Sequence, residues 1–161
     1  MKQLKLFIGS GFGSGYSPVA PGTAGSLVTT CLMYFILSSN ELIGPILVIV
    51  LASILTLTVS NTCEEEWGED PGKLVIDEFA GQALVFTSIP LSGNLVTDIL
   101  ILSLGFSLFR LFDIWKPLGI HQIQKIGGGA GILLDDLLAG FYAFICLKSV
   151  IFAFPNFFGL A

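Results

Sequence analysis

The chain has 161 residues, one domain's worth at about 150 residues per domain, with no room for a separate regulatory module. It is 53% hydrophobic and 12% charged, carries a net charge of −5 and has a mean hydropathy of +0.87; soluble domains run at roughly 45–50% apolar and 25% charged. Charge this sparse cannot coat a water-facing globule, which excludes a disordered chain, a coiled coil, a basic nucleic-acid binder and an ordinary cytosolic domain. What remains is an all-α, polytopic membrane bundle of about five helices, read as a single domain over residues 1–161.

A glycine-rich segment, Met1 to Gly25, opens the chain. The hydropathy pattern then predicts helices over about Gly25–Ser39, Leu42–Thr62, Val75–Ile89, Val96–Trp115 and Ile132–Phe154, each an apolar run near the length a bilayer requires. Pro90 and Pro155 close the third and fifth. The third is short and begins with two acids, so it is expected to pack inside the bundle with its polar end at the interface. No charged residue occurs from Leu6 to Asn40 or from Leu42 to Cys63, whereas Glu64, Glu65, Glu66, Glu69, Asp70, Lys73, Asp77 and Glu78 crowd together. A bilayer imposes such segregation, because an acid or base at its centre costs about 2.5–3.5 kcal/mol on insertion scales. The three cysteines are odd in number and widely spaced, which argues against a disulfide framework or a zinc site.

Five crossings that start from a cytoplasmic N-terminus return Cys63–Leu74 and Lys116–Gly131 to the cytoplasmic side. Lys2, Lys5, Lys73, Lys116 and Lys125 then all lie inside, as the positive-inside rule requires. This threading also puts every polar motif on one face of the membrane. Trp67 and Trp115 read as headgroup-level anchors and His121 as an interfacial residue.

Four motifs carry the polar chemistry. The glycine- and proline-rich run from Gly9 to Ser26 matches neither a dinucleotide fingerprint nor a P-loop. It reads either as a tight connection or as a loop whose N–H groups, with the Thr23 and Ser26 hydroxyls, face a phosphate. In Asp70–Gly81, the adjacent Asp77 and Glu78 can clasp one hard cation or serve two roles; favourable charge at a helix N-terminus is the plainer alternative. Arg110, Asp113 and Lys116 share one helical face, as an internal ion pair or as a cationic clamp for phosphate with an acid for metal. Finally, Gly127–Gly140 leads from a glycine run into an apolar helix bearing Asp135 and Asp136. Two neighbouring carboxylates in apolar surroundings repel and protonate unless a cation compensates. Glu64–Glu66 read either as a solvated loop or as a loop from which Glu65 reaches these groups.

Carboxylates without histidines suit magnesium, and magnesium beside Arg, Lys and oriented N–H groups suits a phosphate. These residues fit a metal-assisted attack of water on a membrane-borne phosphomonoester. A transporter or ion-binding protein that uses the same acids is the alternative, though the outer halves of the helices are nearly bare of the polar groups it needs.

The motifs Gly11–Pro18 with Ala20–Ser26, Val75–Phe79, Phe109–Pro117 and Gly128–Gly140, in this order, resemble those of bacterial phosphatidylglycerophosphatase A over nearly the whole chain. The resemblance implies a magnesium-dependent integral enzyme of the inner membrane, with its active site facing the cytoplasm. Its substrate would be phosphatidylglycerophosphate, hydrolysed to phosphatidylglycerol and inorganic phosphate in phospholipid biosynthesis. Asp77, Glu78, Asp135 and Asp136 are then the expected metal ligands, and Asp77, Glu78, Asp113 and Asp136 the catalytic acids. Thr23, Ser26, Arg110 and Lys116 are the expected substrate contacts. Two positions depart from the family: Gly119 replaces a common proline, and an acid is missing near Gln124, with one residue fewer.

Overall fold

The computed structural model of the chain describes residues 1–117 and 119–160, without the side chain of Gln124, so the departure near Gln124 lies outside the described side chains. Among the described residues there are seven α-helices and no strand. They are α1 (Lys2–Gly9), α2 (Pro21–Leu37), α3 (Ile43–Trp67), α4 (Ile76–Val85), α5 (Leu95–Trp115), α6 (Ile120–Gln124) and α7 (Gly128–Ala153). Three of them, α3, α5 and α7, are long and apolar enough to cross a membrane, and α2 is a shorter apolar helix. The chain is a helical membrane protein.

Successive long helices alternate in direction, so α2, α4 and α7 begin on the face where α3 and α5 end. The five expected helices appear as α2, α3, α4, α5 and α7, with shifted ends. α2 starts at Pro21, four residues early, because proline at the first helical position costs nothing and Ala20 takes a left-handed turn (φ 51°) just before it. α4 stops at Val85, short of the expected Ile89. Pro90 disfavours helix at Ile89, and Ser88, at φ 55°, turns the chain away first.

At ten residues, α4 rises only about 15 Å, half a bilayer. Nine of its residues are buried, and it packs chiefly against α7 and α3. The irregular stretch after it is buried too, at Phe86 and Ile89. Non-helical backbone is tolerated at membrane depth only when protein surrounds it, and α2, α3, α5 and α7 supply that cover. On the far face the Ser88 N–H donates to the Glu41 carbonyl (2.8 Å), and buried Asp98 accepts from the Ser92 N–H and Oγ at 2.7 and 2.8 Å.

Two short helices were not expected. α1 lies along α3, where Lys2 pairs with Glu66 at 2.7 Å, and α6 rests on α7. His121, on α6, is exposed; so is Trp115, while Trp67 stacks edge-on against Tyr16.

α4 and α7 touch backbone to backbone. A Cβ on Gly81 would lie 2.6 Å from the Asp136 carbonyl oxygen and 2.7 Å from the Phe109 ring, and one on Gly140 would collide with the Gly81 carbonyl. Small residues let membrane helices touch backbone to backbone. Gly140→Leu is therefore expected to lower stability by about 1–3 kcal/mol or more, as overpacking does, read as a lower thermal unfolding midpoint in detergent.

Candidate active site

The glycine contact also sets the distance between two acids. α4 and α7 run parallel, and each places an aspartate four residues before its contact glycine: Asp77-Glu-Phe-Ala-Gly81 and Asp136-Leu-Leu-Ala-Gly140. One turn from the crossing the Asp77 and Asp136 side chains meet closely enough to interact directly. They are 5% and 4% exposed, and Asp77 Oδ1 and Asp136 Oδ2 have no hydrogen-bond partner among the described residues.

A cavity of about 400 Å³ lies over this pair. The first turns of α2 and α4, the last turn of α5, residues of α7 and the Asp70–Gly72 turn line it. Asp77, Glu78, Arg110, Asp113, Lys116, Asp135 and Asp136 all face it, so five separately read acids and both expected cations share one chamber. Asp135 and Asp136 were expected in the first turn of their helix. Because α7 begins at Gly128, they lie two turns in and are buried.

The protein's own cations engage part of the acid set. Arg110 Nη1 lies 2.5 Å from Glu78 Oε2, 3.0 Å from Asp113 Oδ2 and 3.2 Å from Ser26 Oγ. Its Nε has no partner among the described residues, so a guanidinium with five donors still has one to give. Glu78 Oε2 is also held by Ser26 Oγ, and a Cβ on Gly22 would collide with Oε1, so a larger residue there would push the Glu78 carboxylate aside. Lys116 Nζ is bonded to Asp135 Oδ2. Burial works against the Lys116 ammonium, but the hydrogen bond and attraction of Asp135 outweigh it and raise its pKa above the usual lysine value.

Two expected substrate contacts lie elsewhere. Ser26 is fully buried, within reach of the Gly22 carbonyl at 2.9 Å and the Glu78 carboxylate, and does not line the cavity. Its hydroxyl positions Glu78 and Arg110. Thr23 does not line the cavity either, and Glu65 is exposed outside it.

Among the described residues no three acids are placed to hold a metal as they stand. The donor chemistry nonetheless fits a hard divalent cation. Two carboxyls in contact inside a buried site must share a proton or a cation, and the two partnerless oxygens point to where positive charge is missing. Glu78 and Asp135, expected as the remaining ligands, face the same cavity but are already paired.

Residues 7–151 match the model of the family described as phosphatidylglycerophosphatase A. The chain belongs to the phosphatidylglycerophosphatase A family. It is 38% identical over 146 residues to phosphatidylglycerophosphatase A of Haemophilus influenzae, covering 87% of this chain and 84% of that one. The Escherichia coli protein of the same name is 33% identical over 131 residues, with 81% and 73% covered. A Bacteroides thetaiotaomicron protein, provisionally named a phosphatidylinositol-3-phosphatase, is 38% identical over 148 residues, with 89% and 91% covered. No solved structure matches the chain.

In this family member the sequence reading overlooked Asp70 and Gly22, which line the cavity, and the shared Asp-x-x-Ala-Gly pattern of α4 and α7. That repeat was legible: two helices with the same acid-to-glycine spacing superpose their acids when their glycines touch. Removing Arg110 with Arg110→Met leaves buried Glu78 and half-buried Asp113 without their cation. Breaking a buried pair this way costs about 3–5 kcal/mol, so the variant is expected to unfold at clearly lower temperature, and Asp113→Asn in the same chain to restore part of the loss.

Proposed function

We propose that the chain removes the terminal phosphate of phosphatidylglycerophosphate with the help of magnesium, at the cytoplasmic face of a bacterial inner membrane. The observation that carries this reading is the single cavity in which Arg110 and Lys116 stand beside Asp77 and Asp136, one oxygen of each without a hydrogen-bond partner among the described residues. Membership of the family and the names of two relatives support it. The cytoplasmic orientation rests on the excess of lysine on the site's side of the bundle.

The phosphate enters beneath Arg110 and Lys116, whose charges oppose its own and orient it. The first N–H groups of α2, which have no acceptor within the helix, point their positive end into the cavity beside Gly22 and stabilise charge on the phosphoryl oxygens. Bound magnesium, held by Asp77 and Asp136 with Glu78 and Asp135 alongside, would add positive charge to the phosphoryl group and to the attacking water. Glu78, fixed through Oε2 by Ser26 and Arg110, takes the water's proton on Oε1 as the water oxygen bonds to phosphorus and the ester P–O bond breaks, and that proton then passes to the departing alkoxide oxygen of the lipid. The acyl chains stay in the bilayer throughout.

Release of inorganic phosphate from phosphatidylglycerophosphate in mixed micelles tests this reading. Turnover is expected with magnesium and loss of turnover with EDTA. Asp77→Asn, Asp136→Asn and Asp135→Asn should each lower kcat by about a hundredfold or more, the scale of a lost electrostatic stabiliser, while inserting normally. Full activity in either Asp77→Asn or Asp136→Asn would remove that residue from the site. Phosphatidylinositol-3-phosphate belongs in the same assay, since one relative is named for it; faster release from it than from phosphatidylglycerophosphate would reassign the headgroup.

A further inference from the structure

A second cavity, of about 360 Å³, lies on the outer surface of the bundle between α2 and α5. Its walls are almost wholly apolar and run from Leu27 to Phe35 on α2 and from Phe106 down to Leu95 on α5. The catalytic proposal does not use it. We infer that this groove seats one acyl chain of the lipid whose phosphomonoester occupies the active site, an inference that rests on the function proposed above and adds a binding site to it.

Continuity comes first. On α5 the groove residues Leu95, Ile99, Leu102 and Phe106 are followed at the same helical spacing by Arg110 and Asp113, which line the active site. Steps of three and four residues keep one helix face in register, so one face of α5 is apolar in the groove and charged in the site. α2 contributes to both cavities too, with Gly22 lining the site and Leu27, five residues on, beginning the groove. The two cavities thus lie along the same two helices, and between them Arg110 Nη1 reaches across from α5 to Ser26 Oγ on α2 at 3.2 Å.

Length gives the second reason. Leu95 to Phe106 spans eleven residue steps, or about 16 Å of helix, close to the half-thickness of a bilayer core of about 30 Å. One leaflet's depth of about 15 Å is about ten residue steps, so a chain anchored at Arg110 and running along α5 ends beside Ile99 and Leu102, within a groove that continues to Leu95 at the far end of the helix. The other apolar cavity, around Pro90, Lys148 and Phe152, lies at the far end of α7, more than three turns from Asp136.

Two measurements test the inference. Ser103, exposed in the groove wall, is replaced in Ser103→Trp to fill the groove; kcat/KM should fall about tenfold or more, the scale of a blocked apolar pocket, for long-chain phosphatidylglycerophosphate. The dihexanoyl lipid, too short to follow the groove, should be turned over as by the unaltered chain. Equal effects on both lipids, or none on either, would overturn the inference. Separately, Phe35→Trp puts a fluorophore at the groove's far end, and Leu51→Trp puts one on the exposed side of α3 as a control. A small fraction of phosphatidylglycerophosphate with brominated chains should quench the first well beyond the second, after subtraction of Trp67 and Trp115. Equal quenching would overturn the inference whatever Ser103→Trp does. Because quenching needs no turnover, selective quenching without phosphate release would sink the phosphatase reading and leave the groove standing.

Discussion

Asp77 and Asp136 meet because two parallel helices touch at glycine, and most of what distinguishes this bundle depends on that contact. Gly81 and Gly140 bring the backbones of α4 and α7 within a distance that no Cβ allows. The aspartate one turn earlier on each helix then has nowhere to go except against its counterpart. Close helix packing and acid pairing are thus one constraint, and a side chain at either glycine would relax both.

A buried acid pair is costly unless charge of the opposite sign is nearby. The protein supplies part of it through two cations from the end of α5, Arg110 against Glu78 and Asp113, and Lys116 against Asp135. Each pair is well shielded from water, so each is a structural commitment as well as a functional one. Neither cation is bonded to the partnerless oxygens of Asp77 and Asp136. The protein's own positive charge is committed around that pair, and on the function proposed above an external cation and a phosphate would complete the balance. On the proposed function, its place at the start of α2 and the end of α5, beside an apolar groove, would let a lipid present its headgroup without leaving the membrane.

The long helices were legible because hydropathy alone marks α2, α3, α5 and α7, and charge segregation marks the face on which they converge. α1 was not, because its eight residues carry too few apolar positions to stand out beside the glycines that follow. The early end of α4 depended on a left-handed Ser88 that no propensity foretells. Within the site, residue types and motifs pointed to the acids, Arg110 and Lys116. The division of labour did not show in spacing: Ser26 turns inward to hold Glu78, and Lys116 takes Asp135. Such pairings are decided by tertiary neighbours dozens of residues away. The Asp-x-x-Ala-Gly pattern shared by α4 and α7 is the exception, a pairing signal written in the chain.

Divalent-ion binding by the purified protein tests the central claim most directly, with manganese as a paramagnetic probe followed by electron paramagnetic resonance in detergent. The account predicts that the unaltered chain binds the ion in competition with magnesium. It also predicts that the Asp77→Asn/Asp136→Asn double variant, folded and with Arg110 and Lys116 in place, does not. Equal binding by both proteins would contradict it, because the ion would then sit somewhere other than between these two helices.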